Sequence, residues 1–305
     1  MVLVLTHGDC LSHVTPPGHP EQVARLESVE RGLAGLPIDR REAPMGVVAD
    51  VLRCHPQRYV DRVQAAVPAE GWAQLDADTW LSPGSVTAAM RAVGGICQAV
   101  DHVMTAGGRA FVATRPPGHH AERETAMGFC LFGTVAIGAA RALEVHGLSR
   151  VAVLDFDVHH GNGTQDLLWN EARVRFVSSQ QMPLYPGTGH ADERGAHGQI
   201  TNLPLAGGSG GAQMWAAWQP VLAELRDWQP ELILISAGFD AHKDDPLAGL
   251  MWTTQDFARL TRAICDLAEE CCAGRVVSTL EGGYDLDALA DCVAAHVTEL
   301  GRQAA

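Results

Sequence analysis

Apolar residues recur along this chain in two patterns. Short, nearly unbroken apolar runs predict buried strands at 2–6, 110–114, 151–155, 174–178, 232–236 and 276–280. Between them, apolar positions spaced three and four apart predict helices. At 21–33 the apolar set is Val23, Leu26, Val29 and Leu33, with polar residues between. Further helices are predicted at 85–105, 130–145, 163–169, 212–226, 255–272 and 286–300. The helix at 85–105 has Ser82-Pro83-Gly84-Ser85 at its start and Gly107-Gly108 behind it. Such residues start and stop helices. Residues 180–211 are rich in Gly, Pro and polar side chains and are predicted to form one long loop. Loops of that length are usually functional.

Apolar strands alternating with helices predict an α/β fold, a parallel sheet covered on both faces. No repeat, low-complexity tract or linker-like stretch divides the chain, so residues 1–305 are expected to form a single domain.

Composition narrows the function. Hydrophobic residues make up 47% and charged residues 19%, a globular composition. The formal net charge is −14, from 36 acidic and 22 basic side chains, and the only lysine is Lys243. Duplex binding draws on Lys and Arg at phosphates, so the acidity excludes a direct nucleic-acid partner and docking on anionic membranes. No segment reaches the roughly 18 apolar residues of a membrane span. The opening apolar run has no basic leader and reads as a strand, not a signal peptide. The eight cysteines show no CxxC pair and read as reduced packing thiols, which suggests a cytoplasmic protein.

In a sheet of this class, ligands bind beyond the carboxyl ends of the strands. Four predicted strands end in chemistry there. Arg115-Pro116-Pro117-Gly118-His119-His120 follows the second. Asp155-Phe156-Asp157-Val158-His159-His160-Gly161 follows the third. Ser236-Ala237-Gly238-Phe239-Asp240 and Glu281-Gly282-Gly283-Tyr284 follow the last two. Asp157 and His159 are two apart and point the same way in extended backbone. With Asp240 they make two carboxylates and one imidazole, a set that suits catalytic Zn²⁺ with an open position, and Fe²⁺ as second choice. Taken alone, Asp-x-Asp-x-His-His also reads as a capped turn; its coincidence with Asp240 on another strand favours the metal. The pair His119-His120 on the same edge suits acid–base work on water activated by that metal. The glycine run 207–211 lacks a following Lys and is a flexible loop rather than a phosphate cradle. His119-His120-Ala121-Glu122 is not the HExxH pattern of metalloproteases.

Together these four motifs resemble the zinc-dependent histone deacetylase family, in particular its class II branch and bacterial amidohydrolase relatives. The resemblance runs from about His19 to Tyr284. It implies the single-domain arginase–deacetylase fold, with a mostly parallel eight-stranded sheet and helices on both faces. It implies that Asp157, His159 and Asp240 bind Zn²⁺, and that His120 is general base and acid with His119 beside it. Tyr284 would hold the oxyanion, Asp155 would pair with His119, and Asn162 would support His120. A structural K⁺ is implied around Asp155, Asp157, His159, Ser178 and Ser179. Gly128, Phe129, Tyr185, Leu247 and Asp78 would line the substrate tunnel and its rim.

Three positions depart from or qualify that pattern. His19-Pro20-Glu21-Gln22-Val23 lacks a basic residue that many class II relatives carry just after the glutamate, so the resemblance supports no argument about an internal product channel. Residue 185 is Tyr where Phe is common. In Asp244-Asp245-Pro246-Leu247 the position after Pro is Leu, where polyamine-preferring relatives place an acid. An apolar gate leaves a second buried cation unpaired. An acyl-lysine peptide or protein, or a small N-acyl amine, is therefore the expected substrate. The alternatives are an acetylpolyamine amidohydrolase and a weakly active acyl-lysine binding protein. An arginase-like second metal set, Asp-Ala-His-x-Asp, is absent. The oligomeric state stays open, a homo-oligomer included.

Overall fold

Every central strand sends alternate side chains to two faces, and both faces are covered. The structure, a computed structural model, describes residues 1–302. Its strands are β1 (Val2–Thr6), β2 (Ile38–Glu42), β3 (Ala73–Gln74), β4 (Trp80–Leu81), β5 (Arg109–Val112), β6 (Val151–Asp155), β7 (Val174–Gln181), β8 (Ile200–Leu205), β9 (Leu232–Ala237) and β10 (Val276–Leu280). Its helices are α1 (Ala24–Leu33), α2 (Val48–Val51), α3 (Gln57–Ala65), α4 (Ser85–Ala106), α5 (Thr134–Glu144), α6 (Asn162–Leu168), α7 (Gly211–Trp228), α8 (Thr254–Cys272) and α9 (Leu286–Leu300). Eight strands form one sheet in the order β2-β1-β5-β10-β9-β6-β7-β8, and β3 and β4 form a separate hairpin. The pairings within the large sheet are all parallel. That sheet, with its helices, is the α/β architecture the motifs imply.

The alternation is legible residue by residue. Val2, Val4, Ala152, Leu154, Ile233 and Ile235 join one core with Leu26, Trp218, Phe257 and Val293 from α1, α7, α8 and α9. Leu3, Leu5, Val151, Val153, Leu232 and Leu234 join the other with Val60, Val93 and Val135 from α3, α4 and α5. Each such aliphatic side chain contributes roughly 1.5–3 kcal/mol when fully buried.

The four strands that end in chemistry, β5, β10, β9 and β6, are neighbours at the middle of the sheet. Their carboxyl ends therefore form one continuous edge, and crossover helices are forced to either side of it.

Three sequence expectations change. Residues 180–211 are not one loop: β7 continues to Gln181, and β8 pairs with it at the sheet edge. Pro204 and the polar Thr201 and Asn202 are tolerated in β8 because an edge strand needs fewer ladder bonds. At the opposite edge, β2 carries Asp39, Arg40, Arg41 and Glu42, charge that hides it from a hydrophobic reading and blunts the edge. The predicted 130–145 helix starts only at Thr134, because residues 127–130 close a bridge beside the site.

Candidate metal centre and substrate cavity

β6 ends at Asp155, and the chain then runs extended enough to aim Asp157 and His159 at the end of β9, where Asp240 follows Gly238. The three ligand atoms lie within 4.8 Å of one another and all three residues are buried. His159 Nδ1 is 3.1 Å from Asp157 Oδ1 and 3.2 Å from Asp240 Oδ2. Backbone amides hold the carboxylates in place. Gly282 N donates to Asp157 Oδ2 at 2.8 Å, and Val158 N donates to Asp240 Oδ1 at 2.8 Å. Gly238 and Gly282 let two backbones approach: a Cβ at either would lie 2.1 Å from a ligand carboxylate oxygen.

These residues fit a divalent metal. Two carboxylates buried side by side repel, and among the described residues no Arg or Lys forms an ion pair with either. Burial and Asp157 raise the pKa of Asp240, whereas Asp157, despite its burial, is held far down by His119 and His159. Burial opposes the His159 cation, yet its hydrogen bonds to Asp157 and Asp240 raise its pKa to about 10. A metal would displace that proton and neutralise the set. Two oxygens and one imidazole nitrogen suit Zn²⁺ or Fe²⁺.

The histidine pair follows β5 on a turn pinned by Glu281. Glu281 Oε2 accepts from Gly118 N at 2.7 Å and His119 N at 3.1 Å. His119 Nδ1 lies 3.0 Å from Asp155 Oδ2, and its Nε2 is 3.7 Å from Asp157 Oδ2. His120 Nδ1 lies 2.7 Å from Asn162 Oδ1, and the two imidazole centroids are 4.0 Å apart. Burial alone would lower both pKa values. For His119 the charges of Asp157 and Asp155 overcome it and the pKa rises well above the usual range. For His120 burial is reinforced by His119 and His159, and the pKa falls well below it. Adjacent groups pushed apart in this way take different protonation states.

Tyr284 sits on the Gly-Gly turn after β10. Burial raises its pKa, and the Arg25 guanidinium lies 4.9 Å over its ring. Asp245 Oδ2 accepts from Tyr284 N at 2.7 Å, while its Oδ1 accepts from Leu247 N at 3.0 Å. One carboxylate thereby ties two walls of a cavity together.

That cavity has a volume of about 220 Å³ and is lined by Asp78, His120, Gly128, Phe129, His159, Leu184, Tyr185, Leu247 and Tyr284. All five residues expected at the tunnel and rim are among them. Phe129 has φ 69°, a left-handed conformation rare outside Gly. It is held by Thr79 Oγ1, which accepts from Phe129 N at 3.0 Å, and by edge contacts with His19 and Tyr284. Strain retained at such a wall is typical of functional positions.

Of the residues implied for potassium, Asp155 and Ser178 are register partners facing Gly161. Ser179 is different: its hydroxyl leaves β7 on the opposite face and is buried without a protein partner. Its side chain is not brought to the others.

Several buried groups escape a reading by motif. Arg25 donates through Nε to Gly283 O at 2.7 Å, and its Nη1 meets Glu21 at 3.0 Å. Glu21 also pairs with the fully buried Arg115. The basic side chain that does meet Glu21 from this segment is Arg25, four residues on. Glu21-x-x-x-Arg25 was the available signal. Leu184, inside the supposed loop, carried none.

The comparisons with known proteins agree with this geometry. A family profile described as the histone deacetylase domain matches residues 19–300. The chain is 38% identical over 301 residues to a histone deacetylase-like amidohydrolase of Pseudomonas aeruginosa, covering 94% of this chain and 79% of that protein. It is 48% identical over 188 residues to rice histone deacetylase 10, chloroplastic, covering 60% of this chain and 42% of that longer protein. The crystal structure of the HDA15 HD domain superposes with a TM-score of 0.91 at 30% identity, covering 99% of this chain and 91% of that one.

Proposed function

This chain belongs to the histone deacetylase family, and we propose that it is a metal-dependent deacylase acting on the amide of N-acetyl-lysine or a related N-acyl amine. The observation that carries the reading is the cavity, where His159 of the buried Asp-His-Asp set meets His120 and Tyr284 between apolar walls. Held by Asp157, His159 and Asp240, Zn²⁺ (or Fe²⁺) would polarise the amide carbonyl and make water a usable nucleophile near neutral pH.

The chain's own groups supply the rest. His120 takes a proton from water as its oxygen adds to the carbonyl carbon, then returns it to the amine nitrogen as the C–N bond breaks. The products are a carboxylate and an amine. His119, ion-paired with Asp155, sets the field beside it. The Tyr284 hydroxyl donates to the developing oxyanion, a contribution of about 3 kcal/mol for one such donor. Phe129 and Tyr185 flank the aliphatic stem, the Gly128 carbonyl accepts from the substrate amide, and Asp78 takes a backbone N–H at the rim. For a structural K⁺, Asp155 and Ser178 offer oxygens, and the Ser179 hydroxyl does not.

Leu247 favours acyl-lysine over acetylpolyamines, because a second ammonium at an apolar gate sheds water without a partner. Asp78, with Asp76 hydrogen-bonded to its N–H, keeps the polyamine reading alive by offering charge at the mouth. The test compares kcat/KM for an acetyl-lysine peptide, acetylputrescine and acetylspermidine with zinc matched throughout. Preference for the peptide is expected. A strong polyamine preference overturns the Leu247 argument, and tight peptide binding without turnover leaves an acyl-lysine binding protein.

A further inference from the structure

His120 can act as a base only through a ring nitrogen that carries no proton, and the structure holds a device that selects which one. Asn162, the first residue of α6, places Oδ1 2.7 Å from His120 Nδ1. Its Nδ2 lies 2.8 Å from Glu122 Oε1 and 3.3 Å from Met127 Sδ. Glu122 is half-buried, two residues beyond His120, on a tight hairpin closed by Glu122 N to Thr125 O at 3.0 Å.

The amide orientation follows from chemistry. The oxygen and nitrogen of an Asn side chain have nearly the same shape, so only the neighbours distinguish them. A carboxylate and a thioether accept and do not donate. The group facing them is therefore the NH₂, and the amide oxygen faces His120. Because that oxygen accepts, Nδ1 bears the proton, and the lone pair of the neutral ring is on Nε2. No protein group among the described residues hydrogen-bonds His120 Nε2, and the ring lines the substrate cavity. Remove the acceptor at 122 and the amide is free to turn over. It would then offer NH₂ to Nδ1 and draw the proton to Nε2, the wrong tautomer for a base.

We propose that Glu122 is a positioning residue that fixes the His120 tautomer through Asn162, an inference that rests on the deacylase reading above. The zinc-loaded full chain is assayed for kcat and KM on an acetyl-lysine peptide as wild type, Glu122→Ala, Glu122→Gln, Asn162→Ala and the Glu122→Ala/Asn162→Ala double variant. Glu122→Ala is expected to lose roughly 10- to 100-fold in kcat, the range for groups that orient a functional ligand from outside. KM, zinc content and melting temperature are expected to stay near wild type. Glu122→Gln, which keeps an acceptor oxygen, is expected to retain most of kcat. The double variant is expected to be no slower than Asn162→Ala alone, since neither residue acts without the other. Wild-type kcat in Glu122→Ala overturns the proposal. So do fully additive losses in the double variant, equal losses for Ala and Gln, or a loss that tracks melting temperature.

Side-chain ¹⁵N spectra of histidine-labelled protein give a readout independent of turnover, with His120→Ala to assign the signal. The wild-type ring is expected as the Nδ1–H form, and Glu122→Ala is expected to gain the Nε2–H form. An unchanged tautomer sinks the Glu122 proposal. Absence of amide hydrolysis in the wild type sinks the deacylase reading instead, and the spectra still decide on Glu122.

Discussion

Replacing Gly282 by Ala inserts one methyl group into the candidate metal centre without replacing a ligand. An ideal Cβ there would lie 2.1 Å from Asp240 Oδ2 and 2.5 Å from Asp157 Oδ2, whereas real Cβ atoms essentially never come within 3.0 Å of a heavy atom. The Asp240 oxygen must therefore retreat by about 0.9 Å and the Asp157 oxygen by about 0.5 Å, if the backbone stays. Metal–ligand distances tolerate about 0.2 Å. Two of the three ligands are thus displaced beyond a bonding geometry. Outer-group changes alone cost 10- to 100-fold in metal affinity, so Gly282→Ala should lose at least about 100-fold, close to 3 kcal/mol of binding. Zinc affinity is read by competition with a chromogenic chelator, and zinc content by elemental analysis after dialysis. Gly207→Ala is the control, since its Cβ would meet nothing nearer than 3.8 Å. Melting temperatures of wild type and Gly282→Ala in chelator measure separately what the clash costs the metal-free fold, since hydrogen bonds from Gly282 N and Val158 N hold both carboxylates there without metal. Wild-type zinc affinity in Gly282→Ala would refute the placement of the metal between these carboxylates.

Further outcomes follow from the same geometry. Tyr284→Phe should lose roughly 10²- to 10³-fold in kcat, the cost of one oxyanion donor, with zinc content and KM unchanged; a loss confined to KM would contradict its role. Leu247→Glu should raise the acetylspermidine to acetyl-lysine ratio of kcat/KM by about tenfold, the worth of one charged hydrogen bond, and an unchanged ratio would remove Leu247 from the gate. Stability should fall as pH drops from 6.5 toward 4. His55 is buried neutral, with Nδ1 3.1 Å from Arg123 O and Nε2 accepting from Gly133 N at 2.9 Å, and burial lowers its pKa to about 4. The unfolded chain protonates first, so the His55 contribution is intact above pH 6.5 and costs about 3 kcal/mol by pH 4. His160, also near 4, and His296, near 3, act in the same direction. A melting temperature flat between pH 7.5 and 5 would show that these rings are not buried as neutral groups.

The central strands and the groups at their ends were legible because β6 and β9 are apolar until a polar residue near the end, and β10, with Ser278 and Thr279 inside it, still opens and closes on apolar residues before Glu281. The polar residues that follow are then at the carboxyl ends by construction, which is how Asp157, His159, Asp240, His119, His120 and Tyr284 could be placed on one edge. The sheet edges were not legible, because β2 and β8 carry charge, Pro and amides that a buried strand would not. The supporting layer was not legible either. Glu281, Asp245, Arg25 and Glu122 are ordinary polar residues until their partners are known, and those partners are remote. Arg25 meets Gly283 across 258 positions, and Asp245 meets Tyr284 across 39. Pattern along a chain reports faces and ends; it does not report which backbone amide a buried carboxylate will find.

Acetate release from an acetyl-lysine peptide, followed while zinc is titrated into metal-stripped protein, tests the central claim most directly. Activity should be absent without metal, rise linearly and reach its plateau at one zinc per chain, with Asp240→Ala inactive throughout. Full turnover by the stripped protein, or by Asp240→Ala, would contradict a metal-dependent deacylase at this site.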